Sequence, residues 1–200
     1  METTDAAAVL ALAPFERLFT REEYHTLACA GVLTEDDRVE LIRGRIVTMS
    51  PVGPPHFHTV NRLERLLAQR AYASTPPLAH LSVQNPVDLG EHNEPEPDLA
   101  LLRPDMPEDR IPIPDDLLLV IEVSDATLNQ DRLVKRRLYA AVGVPELWIV
   151  ALPLGLVEVY RSPEGGDYAD PLRLMPGSDL TVEALPDLPP IPVADVLGKK

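Results

Sequence analysis

The stretch Leu117-Leu118-Leu119-Val120-Ile121-Glu122-Val123 constrains this chain more than any other segment. A continuous apolar run without polar alternation fits a strand buried on both faces, in the middle of a sheet that helices cover. Glu122 lies inside that run. A carboxylate held away from water is costly unless it is paired, hydrogen-bonded or bound to a cation, so Glu122 needs a partner.

The flanking segments read as the rest of a layered domain. Thr20-Arg21-Glu22-Glu23, ahead of Tyr24, Leu27 and Ala28, has the form of a capping box and predicts a helix from Phe19 to Ala30, stopped by Gly31. Arg38 to Met49 reads as a hairpin turning at Arg43-Gly44, which puts Glu40 on a strand. Ser50 to His56 reads as a loop, and Thr59 to Tyr72 as a helix with Val60, Leu63, Leu67 and Ala71 on one side. Strands are expected at Leu81–Leu89, Leu99–Leu102, Leu147–Leu152 and Leu156–Arg161. A helix is expected from Asp131 to Val142, closed by Gly143 and Pro145, and a short one at Val193–Leu197.

Composition narrows the class further. The 200 residues, 45% of them hydrophobic and without repeats, suit one α/β or α+β domain, read as residues 19–197 after an N-terminal tail of residues 1–18. Cys29, the single cysteine, excludes an internal disulfide, and no Cys/His spacing suits zinc. The apolar stretch Ala6 to Ala13 is too short to span a bilayer and follows Glu2 and Asp5, so neither a membrane span nor a signal peptide is expected and the expected compartment is the cytoplasm. A formal net charge of -14 opposes broad electrostatic binding of nucleic acid. The positive charge is instead clustered, with Arg132, Lys135, Arg136 and Arg137 in one predicted helix and Arg62, Arg65 and Arg70 in another.

Asp98 is the natural partner for Glu122. It opens the strand Leu99–Leu102, and two carboxylates at neighbouring strand ends, with a backbone carbonyl such as that of Val123, form a hard-oxygen set suited to Mg2+ or Mn2+. The plainer alternative is that Glu122 ends a strand at the surface and Asp98 begins one. Lys135 has two readings as well. It can pair with Asp131 across one helical turn, or reach back from the inward stripe of Val134 and Leu138 to act on a water or a phosphate. Glu40 is a fourth candidate of the catalytic set, and His56, Arg132 and Arg136 are the candidates for substrate contact. The Glu91, Glu94, Glu96 group reads as a solvated loop.

These residues resemble a known family, the Uma-type putative restriction endonucleases of the PD-(D/E)XK nuclease superfamily. The resemblance spans roughly residues 19 to 197. It is carried by Ile121-Glu122-Val123-Ser124-Asp125-Ala126-Thr127, by Asp131 with Lys135, by Leu138-Tyr139-Ala140, and by Gly143-Val144-Pro145-Glu146-Leu147-Trp148-Ile149-Val150. Glu40-Leu41-Ile42 with Gly44, Ser50-Pro51 with Gly53 and His56, and Pro97-Asp98-Leu99 support it.

The resemblance implies a restriction-endonuclease-like mixed sheet flanked by helices, with an N-terminal β-hairpin extension and a divalent-metal site at one end of the sheet. It assigns Asp98 and Glu122 to the metal and Glu40 to an additional acidic position. Lys135 looks like the superfamily lysine moved to the following helix, because Ser124 occupies the usual place two residues after the glutamate. Ala151 departs from the aspartate that often follows the Trp-Ile-Val segment. The implied activity is metal-dependent hydrolysis of phosphodiesters in nucleic acid, DNA first, with a homodimer by analogy. A nuclease-fold module that binds nucleic acid or a protein without cutting is the main alternative, and a hydrolase of small phosphoesters is a third.

Overall fold

The computed structural model describes residues 16–34 and 36–198. The first helix, α1, spans Arg21–Cys29 and opens with the capping box read from the sequence: Thr20 accepts from the Glu23 backbone N–H, and the Glu23 side chain accepts from the Thr20 N–H. Strands β1 (Val39–Ile42) and β2 (Arg45–Thr48) form the antiparallel hairpin. Its turn depends on Gly44, which sits at φ +71°, and a Cβ there would lie 2.5 Å from that of Leu18. The expected tail lies outside the described residues as far as residue 15. Beyond it, Glu16 forms an ion pair with Arg45, so the segment just ahead of α1 is held against the hairpin.

Helix α2 runs over Pro54–Ala71 and begins well before the expected Thr59. Gly53 is its N-cap and Pro54 and Pro55 occupy the first turn, where a missing N–H costs nothing and the fixed φ is already helical. The prolines that read as loop in fact start the helix, and His56 lies within it. Strand β3 is shorter than expected, His80–Val83 instead of Leu81–Leu89. It is followed by β4 (Leu99–Leu102) and β5 (Leu117–Ser124).

The next helical stretch, α3, has three contiguous parts: α-helical Leu128–Gln130, π-helical Asp131–Lys135 and α-helical Arg136–Ala141. Strands β6 (Glu146–Ala151) and β7 (Leu156–Arg161) follow, joined through a 3-10 turn at Leu152–Leu154. Then come β8 (Leu172–Leu174), β9 (Asp179–Leu180), β10 (Ile191–Pro192) and the closing helix α4 (Val193–Leu197).

The central sheet has six strands in the order β3-β4-β5-β6-β7-β8. Strand β5 pairs antiparallel with β4 and parallel with β6, and the remaining pairs are antiparallel, so the sheet is mixed. Its two faces carry separate cores. Leu119, Ile121 and Val123 of β5 pack with Trp148, Val150, α2 and α4, whereas Val120 packs with Leu147, Ile149 and the Leu138-Tyr139-Ala140 part of α3. The Val60, Leu63 and Leu67 stripe of α2 is buried on the first face, a contribution of roughly 1.5–3 kcal/mol per side chain before entropy. Among the described residues, no helix is long and apolar enough to cross a membrane.

Candidate active site

The β4–β5 register decides where the two key carboxylates meet. Leu99 lies opposite Ile121 in that antiparallel pair, and one step further along the ladder Asp98 comes opposite Glu122. The two residues therefore leave the sheet at the same end. There the hairpin, the N-terminus of α2, the 123–127 loop and the start of α3 enclose a cavity of about 170 Å3, lined by Glu40, His56, Asp98, Glu122, Val123 and Lys135 among others.

Each group is held by identifiable bonds. Asp98 Oδ2 accepts the Val123 N–H at 2.8 Å and lies 3.1 Å from His56 Nε2. The bond to Asp98 raises the pKa of His56, with burial opposing and the charges of Asp98 and Asp131 adding to the rise. The other ring nitrogen, Nδ1, is buried without a partner. Glu122 is buried beneath α3 and accepts the Tyr139 hydroxyl at 2.7 Å.

Lys135 is 6% exposed and lies 3.2 Å from a carboxylate oxygen of Glu40 and 3.2 Å from one of Glu122. Glu40 Oε2 also accepts the Glu96 N–H at 3.3 Å. No ion pair joins Lys135 to Asp131 among the described residues, so the simple pairing across one helical turn is not formed. Asp131 is buried and accepts instead from Ser124 Oγ at 2.6 Å and Thr127 Oγ1 at 2.8 Å. Ser124 thus ties the end of β5 to the π-helical turn that carries Lys135. A π turn inserts one residue into the helical ladder, and such turns recur at functional sites.

The electrostatics are those of a site short of positive charge. Burial pulls the Lys135 ammonium toward neutrality, but the carboxylates of Glu122, Glu40, Asp131 and Asp98 outweigh it and hold the proton on the lysine. Burial also pushes Glu122 well above the usual carboxylate range; Lys135 opposes this, and Asp131, Asp98 and Glu40 reinforce it. One ammonium cannot neutralise that many acids. Glu96, on the same wall, is likewise raised by burial and then by Glu40 and Glu94.

The same features fit a divalent cation. The donors at the strand ends are hard oxygens: the Asp98 and Glu122 carboxylates and the Val123 carbonyl. Among the described residues, no group of three or more His, Cys, Asp or Glu side chains is already gathered as a metal cage. A cation at this end of the sheet would complete its shell with water and substrate oxygens, as Mg2+ commonly does.

A family model described as "Putative restriction endonuclease", Uma2, matches residues 21–194. This chain belongs to the Uma2 family. The Uma2 match covers α1 through the first residues of α4, and so includes every strand and every residue of the cavity. Among solved structures, the chain is similar to a putative nuclease belonging to DUF820 from Anabaena variabilis, with a TM-score of 0.70 at 15% identity, over 90% of this chain and 97% of that one. At that identity the likeness establishes the fold, a mixed α/β nuclease fold. No curated protein matches the chain.

Of the candidates read from the sequence, the structure brings Glu40, His56, Asp98, Glu122, Val123 and Lys135 to one cavity. Arg132 and Arg136 are not among its lining residues. Arg132 donates twice to the fully buried Glu158 of β7, at 2.8 Å each, and Arg136 pairs with Asp167 at 2.7 Å. In the second basic cluster, Arg62 caps α4 through the carbonyls of Val196 and Leu197, and Arg70 donates to the Pro190 carbonyl. Much of the basic charge is thus spent inside the fold. Glu94 departs from the solvated-loop reading: it is buried and bound by Arg21 at 2.7 Å and His25 at 2.9 Å. Arg38 and Asp131 also line the cavity. The sequence marks Asp131 as a neighbour for Lys135 and as part of the family resemblance, whereas nothing around Arg38 marks it until the hairpin folds against the strand ends.

Proposed function

We propose that this Uma2 chain is a metal-dependent endonuclease that hydrolyses phosphodiester bonds in nucleic acid, with DNA as the first substrate to test. The observation that carries the reading is the convergence of Asp98, just ahead of β4, with Glu122 of β5 and Lys135 of α3 at one end of the sheet. Asp98, Glu122 and the Val123 carbonyl would hold Mg2+ or Mn2+, which supplies Lewis acidity and an easily ionised water when bound.

The protein's own groups do the positioning. The Val123 N–H and His56 fix Asp98, and the Tyr139 hydroxyl fixes Glu122, so neither carboxylate must reorganise when substrate arrives. An ammonium has three donors. Lys135 donates to Glu122 at 3.3 Å and stands in an ion pair with Glu40 at 3.2 Å, which leaves donor capacity for a water or for charge developing on a phosphoryl oxygen. Glu40 acts through Lys135, by holding that ammonium in place. His56 lines the cavity with Nε2 on Asp98 and Nδ1 buried and unpartnered, so in this reading it meets a phosphate oxygen only once its ring turns. By analogy with nucleases that cut both strands of a duplex, the reading includes a homodimer, which light scattering measures.

The internal pairing of Arg132, Arg136 and Arg62 removes three of the clustered arginines from substrate contact and favours a second reading, a module of the same fold that binds nucleic acid or a protein partner without cutting. One assay separates the two. Supercoiled plasmid and single-stranded circular DNA are incubated with the protein and Mn2+ or Mg2+ at low salt, with and without EDTA. The nuclease reading expects cation-dependent nicking that EDTA abolishes. Retained DNA binding without nicking supports the second reading.

A further inference from the structure

The active-site cavity adjoins a larger one of about 910 Å3, bounded by α1, residues 31–34, Asp37 and β1. Arg38, Met49 and Glu96 line both and form the shared wall. Arg38 is exposed, and its guanidinium makes no ion pair or hydrogen bond among the described residues. It contrasts with Lys135, the other cation on the wall of the active-site cavity, which Glu40 and Glu122 already engage. That cavity also carries the carboxyl groups of Glu40, Glu96, Asp98, Glu122, Asp125 and Asp131. An incoming polyanion therefore needs a cation with free donors, and Arg38 supplies one at the junction. Beyond it, the larger cavity is walled by Tyr24 and His25, whose rings lie edge to face with centroids 5.9 Å apart.

We propose that Arg38 grips the backbone phosphate next to the one being cut, and that the adjoining cavity receives the neighbouring unpaired nucleotide, its base against Tyr24 and His25. The inference rests on the nuclease reading and adds to it the path of the strand. A guanidinium fork suits two oxygens of one phosphate, and aromatic walls accept any base by stacking.

The test is binding of a fluorescein-labelled single-stranded DNA dodecamer, followed by anisotropy in EDTA so that nothing is cut, across a series of salt concentrations. Arg38→Ala should weaken binding about tenfold or more, as expected when a charge-assisted contact is lost. It should also reduce the slope of log K against log salt by about 0.7, the value of one phosphate contact on a single strand. Arg38→Lys should recover part of the affinity. Arg65→Ala, an exposed arginine on α2 away from the cavity, should bind as wild type with the same thermal midpoint.

Tyr24→Leu should weaken binding about fivefold or more, the range of one lost stacking contact, with the salt slope unchanged. An Arg38→Ala variant that binds like a cleaving wild type with an unchanged slope overturns the inference and leaves the nuclease reading standing. A Tyr24→Leu variant that binds as wild type removes the adjoining cavity from the path. A wild-type protein that neither binds the oligonucleotide nor cuts any nucleic acid overturns both readings.

Discussion

Lys135→Met tests the electrostatic account of the site with the largest expected effect. The side chain is buried and stands 3.2 Å from oxygens of both Glu40 and Glu122, so methionine fills much of the volume but leaves two buried carboxylates without their cation. Removing one partner of a buried ion pair typically costs about 3–5 kcal/mol, against about 0.3–0.5 kcal/mol for an exposed pair across one helical turn. At about 2–4 °C per kcal/mol for a domain of this size, the thermal midpoint should fall by about 6–20 °C. The loss should depend on pH. Burial already holds the Glu122 carboxyl well above its unfolded range with Lys135 opposing, so without Lys135 that rise is larger and the folded state takes up a proton more readily. Stability should then fall as pH rises from the ordinary carboxylate range toward that raised value, and recover in acid. Adding Glu122→Gln should recover part of the midpoint by removing one of the stranded charges. Calorimetric melts of wild type, Lys135→Met and the double variant between pH 5 and 8 read all of this. A Lys135→Met midpoint within about 2 °C of wild type across that range would refute the reasoning, since about 1 kcal/mol is all it allows.

Three further outcomes are expected. Asp131→Asn should weaken the bonds from Ser124 and Thr127 that fix the π-helical turn, costing about 1–3 kcal/mol in urea unfolding and lowering nuclease turnover by displacing Lys135. The folded-state pKa of His56 is raised through Asp98, so its contribution to stability is complete below the unfolded value of about 6.5 and is lost as pH rises through the folded value; the stability gap between wild type and His56→Ala should be wider at pH 5.5 than at pH 9 by denaturant titration. Gly44→Ala should destabilise by about 1–3 kcal/mol in thermal melts, because the turn requires positive φ and the new Cβ would meet Leu18.

The parts of the fold legible in the sequence were those where local chemistry and tertiary packing agree. The apolar run of β5 announces a central strand, and the Thr20–Glu23 capping box marks the start of α1, at Arg21 against the expected Phe19. Helix α2 starts at Pro54, and the expected start at Thr59 falls after it because Pro54 and Pro55 read as loop until Gly53 is recognised as an N-cap. Strand β3 stops at Val83, short of the expected Leu89, although Val87 and Leu89 are buried. The apolar pattern thus reported burial outside any strand. At the site, Asp98 and Glu122 were legible because a carboxylate beside an apolar strand needs a reason. Glu158 offered the same signal, inside Leu156–Arg161, and would have warned that Arg132 is occupied. The π-helical turn was not legible, because its register comes from the Ser124–Asp131–Thr127 bonds and not from helix propensity.

The measurement that most directly tests the assignment of the site follows Mn2+ binding and cleavage on the same preparations of wild type, Asp98→Asn and Glu122→Gln. Calorimetry reports the ion, and single-turnover cutting of an end-labelled DNA duplex reports the chemistry. The account predicts that both variants fold, with a cooperative thermal transition, and that Mn2+ binding and cleavage disappear together in each. A folded Asp98→Asn or Glu122→Gln variant that still binds Mn2+ and cuts at the wild-type rate would contradict it.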